Sequence, residues 1–125
     1  MIGKIIAGSS FGATVGYVIK EKSRILEFDG IEPPGVADMV RDFKDQTLLN
    51  PRIKNAVGHI SLSFSPKDAD RLTDPVMAQI AREYMECMGI RNTQFLIVRH
   101  TDQAHPHCHI AVSYTHLTLP TNSLV

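Results

Sequence analysis

Two cysteines, Cys87 and Cys108, are too few and too unpatterned for a disulfide framework or a cysteine zinc site, and Cys87 reads as a small buried apolar residue. Net charge is also lacking. Lysine plus arginine and aspartate plus glutamate number 13 each, so no bulk electrostatic attraction draws the chain to nucleic acid. No apolar run approaches the roughly 18 residues a membrane helix needs. Nor does Met1-Ile-Gly-Lys open a basic, then long apolar, leader. These absences leave a globular protein expected in the cytoplasm. Its 125 residues suffice for one domain with one core.

What is present reads as alternating strands and helices. The apolar run 3–7 suits a first strand, and Gly8-Ser-Ser-Phe-Gly12 suits a turn or a helix N-cap ahead of a short helix over 12–20. Pro33-Pro34-Gly35 is a break. Val36, Met39, Val40, Phe43 and Leu48 then recur at helical spacing and stop near Asn50-Pro51. Over 56–64, His59, Ser61 and Ser63 alternate with Ile60, Leu62 and Phe64, the period of a half-buried strand. From Thr73-Asp-Pro, Val76, Ile80, Tyr84 and Met88 space at four, Met77, Ala81 and Met85 fill adjoining positions, and Gly89 closes the helix. The runs 95–98 and 107–112, separated by the polar stretch 100–106, predict a hairpin. The sum is an α+β domain, an antiparallel sheet with helices packed on one face.

The end of the chain is different in kind. From Val112 it reads VSYTHLTLPTNSLV, without a charge or a cap, and its first ten residues resemble the in-frame translation of a transposon-based sequencing adapter. The expectation is that residues 1–111 are the N-terminal part of a longer domain and 112–125 a non-native tail. Tyr114 and His116 are therefore given no role.

Four of the six histidines fall in His100-Thr-Asp-Gln-Ala-His-Pro-His-Cys-His109. A polar residue beside a turn explains one histidine, but not this cluster. On a strand His107 and His109 point to the same face, with Cβ atoms about 6–7 Å apart from the strand rise, suitable for two ligands of one ion. His100, ending the preceding strand, would reach across to complete a three-nitrogen site with open positions. Asp102 and His105 lie in the connecting loop and would orient a ligand imidazole, and His105 is also a candidate ligand. Three imidazoles suit Zn, Mn, Ni or Cu.

A metal site does not name a reaction, so a nucleophile is sought among the tyrosines. Tyr84 lies on an apolar stripe, where core packing explains it. Tyr17 follows the loop GSSFGATVGY, where packing explains it less completely.

Taken in order, MIGKIIAGSSFGATVGYVI, GHISLSFSPKD, EYMECMGI and QFLIVRHTDQAHPHCHIAV resemble the mobilisation-protein relaxases of plasmids and integrative elements, over residues 1 to about 111. These belong to the HUH endonucleases, named for histidine, apolar residue, histidine on one strand, here His107-Cys108-His109. The short pattern is weak. The extended His-x-Asp, then His-Pro-His-x-His, about ninety residues after Gly-Ser-Ser-Phe and a tyrosine, is strong.

The resemblance implies that Tyr17 is the nucleophile, that His100, His107 and His109 bind a divalent metal, Mg or Mn in use with Zn or Ni as alternatives, and that Asp102 supports the site or activates the tyrosine. It implies the family's palm fold, nicking of single-stranded DNA at a transfer origin through a 5′-phosphotyrosine link, and relaxosome accessory and coupling proteins as partners. Lys4, Lys20, Lys22, Arg24 and Arg99 are candidate phosphate contacts. A fragment ending near 111 would lack the remaining DNA-binding surface and need not be active. Two other readings stay open. One is a rolling-circle replication initiator with the same chemistry, disfavoured by the early tyrosine. The other is a non-catalytic module whose histidines only staple a hairpin.

Overall fold

The structure is a computed structural model that describes residues 2–8, 11–19, 23–31, 35–47, 57–90, 93–101 and 105–113. Five strands, β1 (Ile2–Gly8), β2 (Ser23–Asp29), β3 (Val57–Ser63), β4 (Phe95–His100) and β5 (His107–Ser113), form one sheet in the order β1-β3-β5-β4-β2. Every pairing is antiparallel. The helices are α1 (Phe11–Val18), α2 (Val36–Thr47) and α3 (Asp74–Cys87), with a short 3-10 turn over Pro66–Arg71. The α+β reading holds, and β4 and β5 pair as the expected hairpin, Val98 opposite His109 and His100 opposite His107.

Alternation along the strands builds two cores. Ile60, Leu62, Ile97, Cys108, Ile110 and Val112 turn to one face, under Met77, Ala81 and Met85 of α3. Val57, Leu96, Val98 and Ala111 turn to the other, under Phe11, Val15 and Val18 of α1 and Met39 and Phe43 of α2. Helices thus cover both faces, which corrects the expectation of helices on one. The three central strands carry apolar side chains on both sides, and neither side can be left to water. The rings of Phe11 and Phe43 stack at 4.9 Å and join α1 to α2, a contact worth about 0.5–1.5 kcal/mol beyond the area it buries.

Helix α3 is bounded as its sequence suggests. The Thr73 side chain accepts from the Val76 amide at 3.4 Å, and Pro75 stands in the first turn. At the other end Gly89, at φ +78°, lets its own amide reach Glu86 O and the Ile90 amide reach Met85 O, while Ile90 buries beside Met85. The buried row is Met77, Ala81, Met85. Val76, expected on the stripe, is 40% exposed. Cys87 is exposed rather than buried, because it falls outside that row at the helix end. Tyr84 packs against the α3-side core, as expected. Its hydroxyl lies 2.9 Å from where a Cβ on Gly3 would sit, so a side chain at that position would have to push the Tyr84 ring aside.

Strand β2 has no counterpart in the sequence analysis. Arg24, Glu27 and Asp29 interrupt its apolar pattern, and a register shift between Ile25 and Glu27 breaks the period of two. It forms because β4 offers it a ladder. The turn after it is held from below, where Gln94 Nε2 donates to Gly30 O at 2.6 Å and Asp42 O at 2.9 Å. Strand β5 runs to Ser113, and the compositional boundary at 111/112 falls inside it, with Val112 opposite both Phe95 and Gly58. Ser9, Ser10, Pro33, Pro34, Leu48, Asn50, Pro51 and residues 114–125 lie outside the described residues. Among those described, no helix is long and apolar enough to cross a membrane.

Ile110 is fully buried on the strand that has partners on both sides. Its replacement by alanine should cost roughly 2–5 kcal/mol, read as a lower urea midpoint at unchanged slope.

Candidate active site

The odd-numbered residues of β5 and β3 and the even-numbered residues of β4 share the face beneath α1. This brings His100, His107 and His109 together from two adjacent strands. Each offers one ring nitrogen, and these nitrogens lie within 4.8 Å of one another. The ring centroids are 5.3 Å apart for His100–His107, 4.1 Å for His100–His109 and 5.4 Å for His107–His109. All three side chains are buried.

Two of the rings are fixed by backbone carbonyls. His100 Nε2 donates to Val18 O at 2.6 Å, and His107 Nδ1 donates to His105 O at 3.0 Å. A carbonyl only accepts, so each bond sets the tautomer and leaves a lone pair on the other nitrogen, Nδ1 of His100 and Nε2 of His107. That is the state a metal requires, and the donor set of three clustered, oriented imidazoles fits a divalent ion.

The expected residues separate under this geometry. Tyr17, on α1, lies over the cluster, its ring centroid 5.5 Å from that of His109 and 6.2 Å from that of His100. Its side chain is 49% exposed, an apolar ring on the histidines with solvent access retained. The reason is local. Val15 and Val18 bury one side of α1 in the core, and Val18 O, a carbonyl at the helix end with no partner in the helix, is taken up by His100. Tyr17, one residue back, is thereby carried onto the cluster.

His105 takes another place. Its backbone carbonyl orients His107, while its exposed ring approaches Phe64 O at 3.4 Å and is no member of the three-nitrogen group. Asp102, Lys20 and Lys22 lie outside the described residues. Lys4, opposite Ser61, is on the histidine face and exposed. Arg24 and Arg99 lie opposite each other on the α3 face. Arg99 Nη1 donates to Leu72 O at 2.6 Å and Asp74 Oδ1 at 3.1 Å, and Arg24 Nη2 reaches the same Asp74 oxygen at 2.9 Å. The Arg24 hydrogen bond, helped by the charges of both guanidiniums, holds the Asp74 carboxyl below its usual range against an opposing push from burial.

One site residue escaped the sequence analysis. His59, on β3, brings its Nε2 to 2.8 Å from His109 Nδ1, and its ring meets Tyr17 edge to face at 5.3 Å. Burial, and then repulsion from His100, pushes its pKa down, favouring the neutral ring. The signal was its alternation with Ser61 and Ser63, which marks a polar side of a strand otherwise built for the core. Without the pairing of β3 to β5, nothing connected it to histidines fifty residues on.

A family model, the nuclease domain of MobA/VirD2-like relaxases, matches residues 17–121. No curated protein matches the sequence.

Burial raises the Cys108 thiol to about 12, against a lowering effect of Arg99. A thiol-specific chromogenic reagent at mildly alkaline pH should therefore modify Cys87 rapidly and Cys108 only after denaturation. Rapid reaction of both would mean that the α3-side core is open.

Proposed function

The chain belongs to the MobA/VirD2-like relaxase nuclease-domain family, and on that premise we propose that it nicks one strand of DNA at the transfer origin of a plasmid or integrative element, starting its mobilisation. The observation that carries this reading is Tyr17 lying over His100 and His109 of a three-histidine cluster in which backbone carbonyls set the tautomers of His100 and His107.

The Tyr17 oxygen, having lost its proton, attacks phosphorus in line. The bond to the 3′ oxygen breaks, that oxygen leaves with a proton as a 3′-hydroxyl, and the 5′ phosphate stays on tyrosine. Because the link is itself a phosphodiester, attack by a 3′-hydroxyl reverses the step and rejoins strands. His100, His107 and His109 would hold a divalent ion, Mg²⁺ or Mn²⁺ in use and Zn²⁺ or Ni²⁺ as the alternatives that imidazole favours. When bound, the ion supplies polarisation of the scissile phosphate and neutralisation of the charge that builds on it. Asp102, between His100 and His107 in the sequence, is proposed to support a ligand ring or to help take the tyrosine proton. His105 assists through its carbonyl.

Lys4, Lys20 and Lys22 are the cations proposed to meet DNA phosphates. Arg24 and Arg99 are engaged by Asp74 on the far face and contribute to holding α3 on the sheet. A neutral chain that binds single-stranded DNA does so through such local contacts rather than bulk charge. Accessory proteins at the origin, a coupling protein and a bacterial cytoplasmic location belong to the same proposal. The family match favours it over a rolling-circle initiator.

The test is incubation with single-stranded DNA from the element's own origin and Mg²⁺ or Mn²⁺, read as a protein–DNA adduct on a denaturing gel. The wild type should form the adduct; Tyr17→Phe and EDTA treatment should each abolish it. Cleavage by Tyr17→Phe would move the nucleophile elsewhere, and metal binding with neither cleavage nor adduct would leave the histidines a structural staple. Separately, Lys4→Ala should weaken DNA binding and reduce its logarithmic salt slope by about one, measured by fluorescence anisotropy, while Arg99→Ala should lower stability and leave that slope unchanged.

A further inference from the structure

We propose that His59 is a positioning residue of the site: its Nε2 accepts the Nδ1 proton of His109, fixing the tautomer that turns the His109 Nε2 lone pair to the metal. This rests on the reading that His100, His107 and His109 hold a divalent ion.

A neutral imidazole has one donor nitrogen and one acceptor nitrogen, and which is which follows from the partner of the nitrogen that faces away from the metal. For His100 and His107 that partner is a carbonyl, on Val18 and His105, and the outcome is forced. For His109 it is another imidazole, at 2.8 Å. That contact is a hydrogen bond only if one proton lies between the two nitrogens. With the proton on His109 Nδ1, all three cluster histidines present a lone pair; with it on His59 Nε2, His109 must carry its proton on Nε2 and cannot ligate in the neutral form.

His59 is held in place to do this. It stands on β3 opposite Ala111 and Ile6, two positions along from Ser61, which is opposite His109. The diagonal offset across an antiparallel pair spans the reach of two aromatic rings, whose centroids here are 5.0 Å apart. Its ring also meets the Tyr17 ring in an edge-to-face contact. Its partner across the ladder to β5 is the small residue Ala111.

The experiment uses the whole chain in three forms: wild type, His59→Leu, which removes the acceptor, and His59→Gln, whose amide oxygen can take the Nε2 position. Ring nitrogen-15 spectra of the metal-free protein, at a pH where the imidazoles are neutral, read the tautomer of His109 directly. The wild type should show His109 protonated at Nδ1, His59→Leu should lose that state, and His59→Gln should keep it. Mn²⁺ affinity by calorimetry without DNA should fall about 10–100-fold in His59→Leu and recover largely in His59→Gln. A His109 protonated at Nε2 in the wild type, or one indifferent to His59→Leu, overturns the proposal. So does equal Mn²⁺ affinity in all three forms. If the wild type binds no Mn²⁺, the metal reading fails, and the ring spectra still decide the role of His59.

Discussion

The architecture depends on the position of β5 in the middle of the sheet. Bonded to β3 on one side and β4 on the other, its register is fixed twice over. A slip of one residue would exchange its two faces, placing His107 and His109 under α3 and Cys108, Ile110 and Val112 under α1. Burial of those three apolar residues therefore holds the histidines in place, and the stability of one face is what orients the other. The apolar slot between the two histidines is part of that arrangement: Cys108 is a core residue, kept protonated by its surroundings.

A second constraint joins the nucleophile candidate to the cluster. Helix α1 has only eight residues, too short to be stable alone. It persists because Phe11, Val15 and Val18 bury against α2 and the sheet, and because its last carbonyl has the His100 ring as a partner. That one hydrogen bond has two consequences, since it satisfies a helix end and selects the tautomer of a histidine in the cluster. Displacement of α1 would disturb Tyr17 and His100 together, so helix packing and site geometry are coupled.

The two faces also divide the charges. On the α3 side Arg24, Arg99 and Asp74 are drawn into one cluster with Leu72 O, and Arg82 pairs with Glu27 at 3.0 Å, tying α3 to the edge strand β2. On the histidine side Lys4, Ser61 and Ser63 leave a polar strip running from the cluster towards the β1 edge. Arg99 and His100, adjacent in the sequence, thus serve different ends, because neighbouring residues of a strand face opposite ways: Arg99 goes to the helix below and His100 to the cluster above.

The sequence by itself determined the elements with strong periodicity, β3, α3 and the β4–β5 hairpin, and with them His100, His107 and His109, because alternation and a short connection leave no other face for them. It also singled out Tyr17, through its loop and the family resemblance. Only the tertiary structure decided the rest. Strand β2 exists because β4 has an edge to fill, and helices take both faces because the central strands are apolar on both. His59 meets His109, Arg24 and Arg99 pair with Asp74 on the opposite face, and His105 meets His107 through its carbonyl. These depend on contacts between residues far apart in the chain, and local propensity carries no information about which distant strand will supply the neighbour.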